Sequence, residues 1–486
     1  MLLWLIIKTK LMQKYLPFWA LLIALFTLLC GINYVRYGMF TDGILYAAIA
    51  KNMAVGQGTF WFPVFSETSG TFIGHPALHF FLESLYFRVF GDSYLTERLY
   101  CLTSALLVSF MMHRIWQQYL PKYRALSFVP LLFFFLIEDV FLTYTYNLLE
   151  CTLTLFTTAS FLCIIPILQN KKSNKTVVFI SFVAALFAAF LSKGPVGFFP
   201  LATFGIGWLA LRTPNLKNAF IWTLTTIIAL TTIIFILLQF EAPFQSLSAY
   251  WEEQVMGSVN AATTVEGQGN MRGNRLHILK RWFDKMLPVL VIVALITGFA
   301  WRQKVNLFRS ETAKRSMVLL LLGLAGTLPF VFISKQASYY LVPAYVFFVL
   351  GFAAFIAPEV ARLIDKINVK SVPFKVFQTV VAVSLIAVFC YLFTQIGETD
   401  RRDKKLLSDV RKVGTLVPSG TIIFTKNAKA QYSLYHFLER YYDISVDDEK
   451  AGHSYVLTDK GMGLDSEKGC NIVDLDLELF NLYLCQ

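Results

Sequence analysis

Charge is scarce in this sequence. Only 15% of its 486 residues are Asp, Glu, Lys or Arg, against 56% hydrophobic and a mean hydropathy of +0.57. That is too apolar for a chain whose whole surface stays in water. Cysteine is sparse too, seven residues with no CxxC pair, which argues against a thiolate metal site or a dithiol redox centre. No Walker loop, GxSxG elbow or fixed-period repeat occurs, so nothing points to a P-loop nucleotide site, a serine-hydrolase elbow or a solenoid.

What is abundant is long apolar runs. Stretches near the roughly 20 residues that a spanning helix requires occur near 15–34, 98–116, 125–142, 148–168, 176–192, 195–211, 219–240, 286–301, 317–334, 339–357 and 376–395. They predict an α-helical polytopic membrane protein with about eleven transmembrane helices. Basic residues resist translocation and collect in cytoplasmic connections. Lys8, Lys10 and Lys14 precede the first run, and every second connection after it is basic, for example Lys171, Lys172 and Lys175, or Arg302, Lys304 and Arg309. The opposite short connections hold only Lys193 and Lys335. The net charge of +12 is thus read as topology and contact with anionic membrane lipid, not as a nucleic-acid groove. No small-residue cleavage site follows the first run, so a retained helix in a bacterial inner membrane is expected.

Three segments interrupt the apolar pattern, and parity puts all three on the outer, periplasmic side. Segment 35–97 reads as helix, loop, helix, with TDGILYAAIAKNM as an interfacial amphipathic helix and Pro76 in the first turn of the second. Segment 241–285 carries the Gly- and Asn-rich GQGNMRGN and reads as a long lid loop. The tail, 396–486, turns polar, with strand candidates in GTIIFT and HSYVLTDK around a helical AQYSLYHFLERYY. It predicts a small C-terminal α/β domain appended to a transmembrane domain over 1–395. Cys470 and Cys485 lie in this tail and could pair in an oxidising compartment.

Ionisable groups near the ends of membrane helices are costly unless paired or used. Asp42 follows the first span and could act as a helix cap. The same parity puts Glu138, Asp139, Glu150, Lys193 and Lys335 on its face, which favours a site. Lysines on the side that normally lacks them fit an anionic ligand such as a phosphate, with a snorkelling lysine as the simpler alternative. His75 and His79 are four apart with Glu83 one turn on, a spacing that two histidines alone do not turn into a metal site.

In order along the chain, these motifs resemble the GT-C glycosyltransferases, in the branch of the protein O-mannosyltransferases and the bacterial transferases that attach aminoarabinose to lipid A. TDGILYAAIAKNM matches the acidic residue and short helix after the first span, GHPALHFFL is similar to the family's G-K-P-P-L, and VFGDSYLTERL to its F-G-x-S…R-L. LSKGPVGFFP matches K-G-P, and SKQASYYLVPAY resembles K-x-x-x-Y-x-L-P. The chain departs from the family in having Gly43 after Asp42 where many relatives carry a second acid, and His75 where they carry lysine.

The resemblance implies a GT-C-like fold and a polyprenyl-phosphate-linked sugar donor. It implies Asp42 as catalytic base, Glu150 or Asp139 as second acid, and Lys193, Lys335, Tyr339, Tyr340, His75 and Arg98 as substrate contacts. The acceptor is a hydroxyl or phosphate of a lipid, glycan or protein. The scheme requires no cofactor, and a divalent metal stays open. A transporter or flippase of lipid-linked saccharide is the alternative, though it would favour mid-span charges and repeated halves; an envelope scaffold is a third reading.

Overall fold

The computed structural model describes residues 2–257, 276–308, 310–333, 336–426, 432–449, 452–462 and 469–485. Lys335 and the 258–275 portion of the expected lid lie outside the described residues. The chain forms two compact units. The first comprises Met1–Ile32, Thr103–Tyr144 and Leu149–Thr394; the second comprises Asn33–Leu102, Thr145–Leu148 and Gln395–Gln486.

The first unit is a bundle of apolar helices, and the chain is a multi-pass membrane protein. Among the described residues, nine helices are long and apolar enough to cross a membrane, or ten if the bent pair Phe128–Phe135 and Glu138–Thr145 is one span. The count falls below the expected eleven because 176–192 and 195–211, expected as two spans, are continuous and count once by length and composition. In the structure Lys175–Leu211 is a single apolar stretch, but it reverses after Lys193, so that Gly197 packs against Ala189. The returning arm is a 3-10 helix, Gly194–Ala202, followed by a nine-residue α-helix, Thr203–Leu211.

Short polar connections start several of these helices in the way their sequences dictate. Asn174 accepts from the backbone N–H of Thr176 and Val177, Asn215 from Asn218, and Ser310 from Ala313, meeting donors that the first turn leaves unpaired. Burial ranks the helices. In Ser338–Asp365, 83% of the best apolar window is inside the protein, against 11% for Leu216–Leu237 and 6% for Val372–Thr394. The first is therefore the central element, with Phe347 against Phe161 and Phe199, while the other two present their apolar faces outward.

The expected loop over 241–285 is largely helical where it is described. Glu241–Tyr250 and Trp251–Met256 are helical, and the following span starts at His277, not near 286.

The second unit contains helices Thr41–Ala54 and Leu78–Phe90 together with the tail. The first of these forms where expected, but Lys51 and Asn52 are buried along with its apolar residues, so its polar side does not face water. The second starts at Leu78, placing Pro76 just outside its first turn. The tail is the expected α/β domain: helices Lys404–Leu416 and Tyr432–Tyr442 with strands β1 (Ile422–Lys426), β2 (Ser445–Asp447), β3 (Tyr455–Asp459), β4 (Cys470–Val473) and β5 (Phe480–Cys485). The sheet order is β2-β1-β3-β5-β4, parallel from β2 to β3 and antiparallel beyond. Its core of Leu407, Val410, Phe437, Leu438 and Leu482 also takes in Met39 and Ile44 from the other end of the chain.

Cys470 and Cys485 face each other across β4 and β5 and form a disulfide. Cys485→Ser should destabilise the tail by about 3 kcal/mol, the scale of loop-closure entropy at this separation. Limited proteolysis of the detergent-solubilised protein, with and without reductant, measures it; equal resistance in both states would show that the sheet needs no covalent closure.

Candidate active site

In the membrane unit, the motif LSKGPVGFFP places Lys193 at the last position of helix Lys175–Lys193. Gly194 then adopts φ +75°, and a Cβ there would fall 2.2 Å from the Tyr250 hydroxyl oxygen. Only glycine fits this turn. The Tyr250 hydroxyl donates to the Lys193 carbonyl at 3.3 Å, so the start of the expected lid segment closes over the break. Lys193 is 9% exposed, and its ammonium pairs directly with Glu150, which is fully buried in the first turn of Glu150–Leu168. It also sits 4.0 Å from the centroid of the Tyr340 ring and 5.9 Å from that of Tyr339, a cation–π arrangement that gains strength when water is excluded.

Asp139, the rival second acid, belongs to a neighbouring network. It accepts from the Ser338 hydroxyl at 2.8 Å and from that of Tyr345 at 3.4 Å, with Lys285 Nζ 3.8 Å away. Lys285 also pairs with Glu138. The short 3-10 helix Ser338–Leu341 thus carries both groups: Ser338 on Asp139, Tyr340 on Lys193.

In the second unit, Asp42 is half-buried in the first turn of Thr41–Ala54. It is not the helix cap, since that position is Phe40. Arg98 is 2% exposed and donates to the carbonyls of Gly38 and Thr145; it secures the backbone leading to Asp42. His75 is half-buried in the loop before Leu78, with its ring 6.2 Å from that of Tyr46, so it does not share a helix face with His79. No group of three or more His, Cys, Asp or Glu among the described residues is arranged to hold a metal ion.

No protein-family model matches the chain, and no curated protein matches its sequence. Solved structures do match. The crystal structure of ArnT from Cupriavidus metallidurans bound to undecaprenyl phosphate is 14% identical, with 96% of each chain covered and a TM-score of 0.64. The apo form of the same protein gives 13%, with 95% of this chain and 96% of that chain covered, and a TM-score of 0.60. The chain has the GT-C fold.

Its departure from the pattern expected of GT-C relatives at position 43 has a steric cause. A Cβ on Gly43 would lie 1.8 Å from the Tyr146 carbonyl oxygen, so a second acid beside Asp42 is excluded. Below this contact, Asn147, which sequence reasoning missed, holds the turn. The Asn147 amide donates to Glu83 at 2.8 Å and to the Gly43 carbonyl at 3.2 Å, with His79 3.5 Å from Glu83. His79 and Glu83 are thus core residues, and burial pushes the Glu83 carboxyl well above the usual range.

From the tail, Ser433 shares a hydrogen bond of 2.6 Å with the Thr41 hydroxyl, and His436 Nδ1–H donates to the Thr41 carbonyl at 3.1 Å. Lys285 was missed because the span boundary was set one residue beyond it. Asn147, at φ +53°, carries no local signal beyond the tolerance of Asn for that conformation.

Two measurements probe this turn. Gly43→Ala should lower the melting temperature markedly, at a cost of roughly 2 kcal/mol or more from strain against Tyr146; an unchanged melt would mean that the 145–148 segment yields freely. Burial depresses the His436 imidazole to about 4, while its bond to Thr41 works the other way. Between that value and the unfolded value of about 6.5, only the unfolded chain binds the proton. Stability is therefore present above about pH 6.5 and lost as pH falls toward 4, on the order of 3 kcal/mol. Melting curves of His436→Asn across this range should be flatter than those of the parent.

Proposed function

We propose that this chain is a membrane glycosyltransferase that moves a sugar from a polyprenyl-phosphate-linked donor to a hydroxyl or phosphate of a lipid, glycan or protein acceptor. The observation that carries the reading is the Lys193 ammonium, held by Glu150 and Tyr340 where two apolar helices break at one end of the bundle. An isoprenoid tail dissolves among such helices, and its phosphate needs a cation at their ends. The polyprenyl phosphate named for the ArnT neighbour agrees with this choice of donor.

In the reaction, the acceptor oxygen attacks the anomeric carbon and the bond from that carbon to the phosphate oxygen breaks. Asp42 takes the acceptor proton, and the departing phosphate keeps the electron pair, stabilised by Lys193. Lys335 is assigned to the same phosphate from sequence alone. One base and a single displacement give inversion, and the scheme requires no metal. The basic alternate connections and the Cys470–Cys485 disulfide support placing the second unit at the periplasmic face of a bacterial inner membrane.

Asp42→Asn should slow transfer of labelled sugar from a polyprenyl phosphate donor by about a thousandfold; parental rates would eliminate the base assignment. Lys193 is best tested without stranding a buried carboxylate, as Lys193→Met in a Glu150→Gln background. That pair should raise the KM for donor about tenfold or more, with little change in melting temperature. Movement of labelled lipid across a proteoliposome without product would favour the carrier reading instead.

A further inference from the structure

Asp42 is the second residue of helix Thr41–Ala54, and that helix starts without a cap: the N-cap residue is Phe40, which offers no side-chain hydrogen bond to the first turn. A first turn leaves backbone N–H groups with no acceptor inside the helix, and without a cap it frays. Fraying suits a base poorly, since misplacing a reacting group by an ångström can cost about a hundredfold in rate.

Restraint comes from the tail instead. Ser433 and His436 lie three apart on helix Tyr432–Tyr442 and so share a face. Ser433 shares its 2.6 Å hydrogen bond with the Thr41 hydroxyl, and His436 Nδ1–H donates to the Thr41 carbonyl at 3.1 Å, so residue 41 is held through its side chain and its backbone at once. The Phe65 ring stands edge-on to the His436 imidazole, with centroids 5.0 Å apart, which limits rotation of the donor. Arg402 donates to the Met39 carbonyl at 2.7 Å, and the same guanidinium is anchored on Asp403 at 2.8 Å. On the far side of Asp42, Gly43 lies under the Tyr146 carbonyl and accepts from Asn147. The apolar core around Met39 and Ile44 is non-directional and keeps the turn in place. Hydrogen bonds to one hydroxyl and two carbonyls are directional and set how it points.

We propose that the tail positions the base. Ser433, His436 and Arg402 do the work of the missing cap and fix the turn around Thr41, so that the Asp42 carboxylate meets the acceptor hydroxyl in one orientation. None of the three touches a reacting atom in this scheme; each acts through Asp42. The inference rests on the assignment of Asp42 as base, and it makes the tail a part of the catalytic apparatus.

Kinetics of the full-length protein in detergent, with a polyprenyl phosphate donor carrying labelled sugar, test this. His436→Ala should lower kcat about tenfold or more and leave the KM for donor unchanged. His436→Asn, whose amide nitrogen takes the place of Nδ1, should recover most of that loss. Ser433→Ala should act in the same direction, and Ser433→Ala/His436→Ala should lose on the order of a hundredfold. In an Asp42→Asn background His436→Ala should cost nothing further, because the group it positions is gone. A loss that persists undiminished in that background overturns the proposal and leaves Asp42 as base, as does a parental kcat in the Ser433→Ala/His436→Ala pair. A parental rate in Asp42→Asn alone removes the base assignment itself. Melting curves identify any variant that fails to fold; should His436→Ala do so, Ser433→Ala, which removes a single half-buried hydroxyl, carries the same comparison with and without Asp42→Asn.

Discussion

A charged side chain set among Phe, Leu and Ile loses its hydration, and whatever replaces that hydration dictates the packing around it. In the membrane unit the replacement for Lys193 is Glu150 and the face of Tyr340. Each partner comes from a different helix, so the ion pair ties the start of Glu150–Leu168 to the end of Lys175–Lys193 and to the turn over 338–341. Removing one member would strand the other, which is the costly case for a buried pair. The break after Lys193, with a glycine forced by Tyr250, keeps the ammonium at the end of its helix and out of the apolar interior.

The second unit obeys the same rule with a larger network. Arg440 is 1% exposed and pairs with the fully buried Glu97 at 2.7 Å, while Lys51 reaches Asp92 at 3.0 Å and Asp443 at 2.7 Å. Burial works to raise the Asp92 carboxyl, but Arg440 and Lys51 outweigh it and hold the group below the usual range. Asp92 and Glu97 both lie in VFGDSYLTERL. The charges of that motif therefore serve to join the first loop to the tail within this unit.

Much of the architecture was legible because membrane helices follow from apolar length and from the positions of lysine and arginine. The tail was legible for a different reason: GTIIFT and HSYVLTDK supply strands, and β1 and β3 lie in them. What escaped was partnership across long separations. Nothing near Glu83 announces Asn147, and nothing near Asp42 announces His436. The interfacial reading of TDGILYAAIAKNM failed at Lys51 and Asn52, which pattern alone assigns to water and which the fold buries against Asp92, Asp443 and Glu439. The acid after Leu149 and the lysine before Gly194 were each visible singly, but their pairing was not.

Met39 and Ile44 flank Asp42 and belong to the core completed by Leu407, Phe437 and Leu482. Synthesis runs from the amino terminus, so this turn emerges among the first segments and waits for the last before its hydrophobic neighbours exist. A nascent or prematurely terminated polypeptide therefore carries the carboxylate without its packed surroundings, and maturation of that turn becomes a checkpoint that only the finished chain can pass.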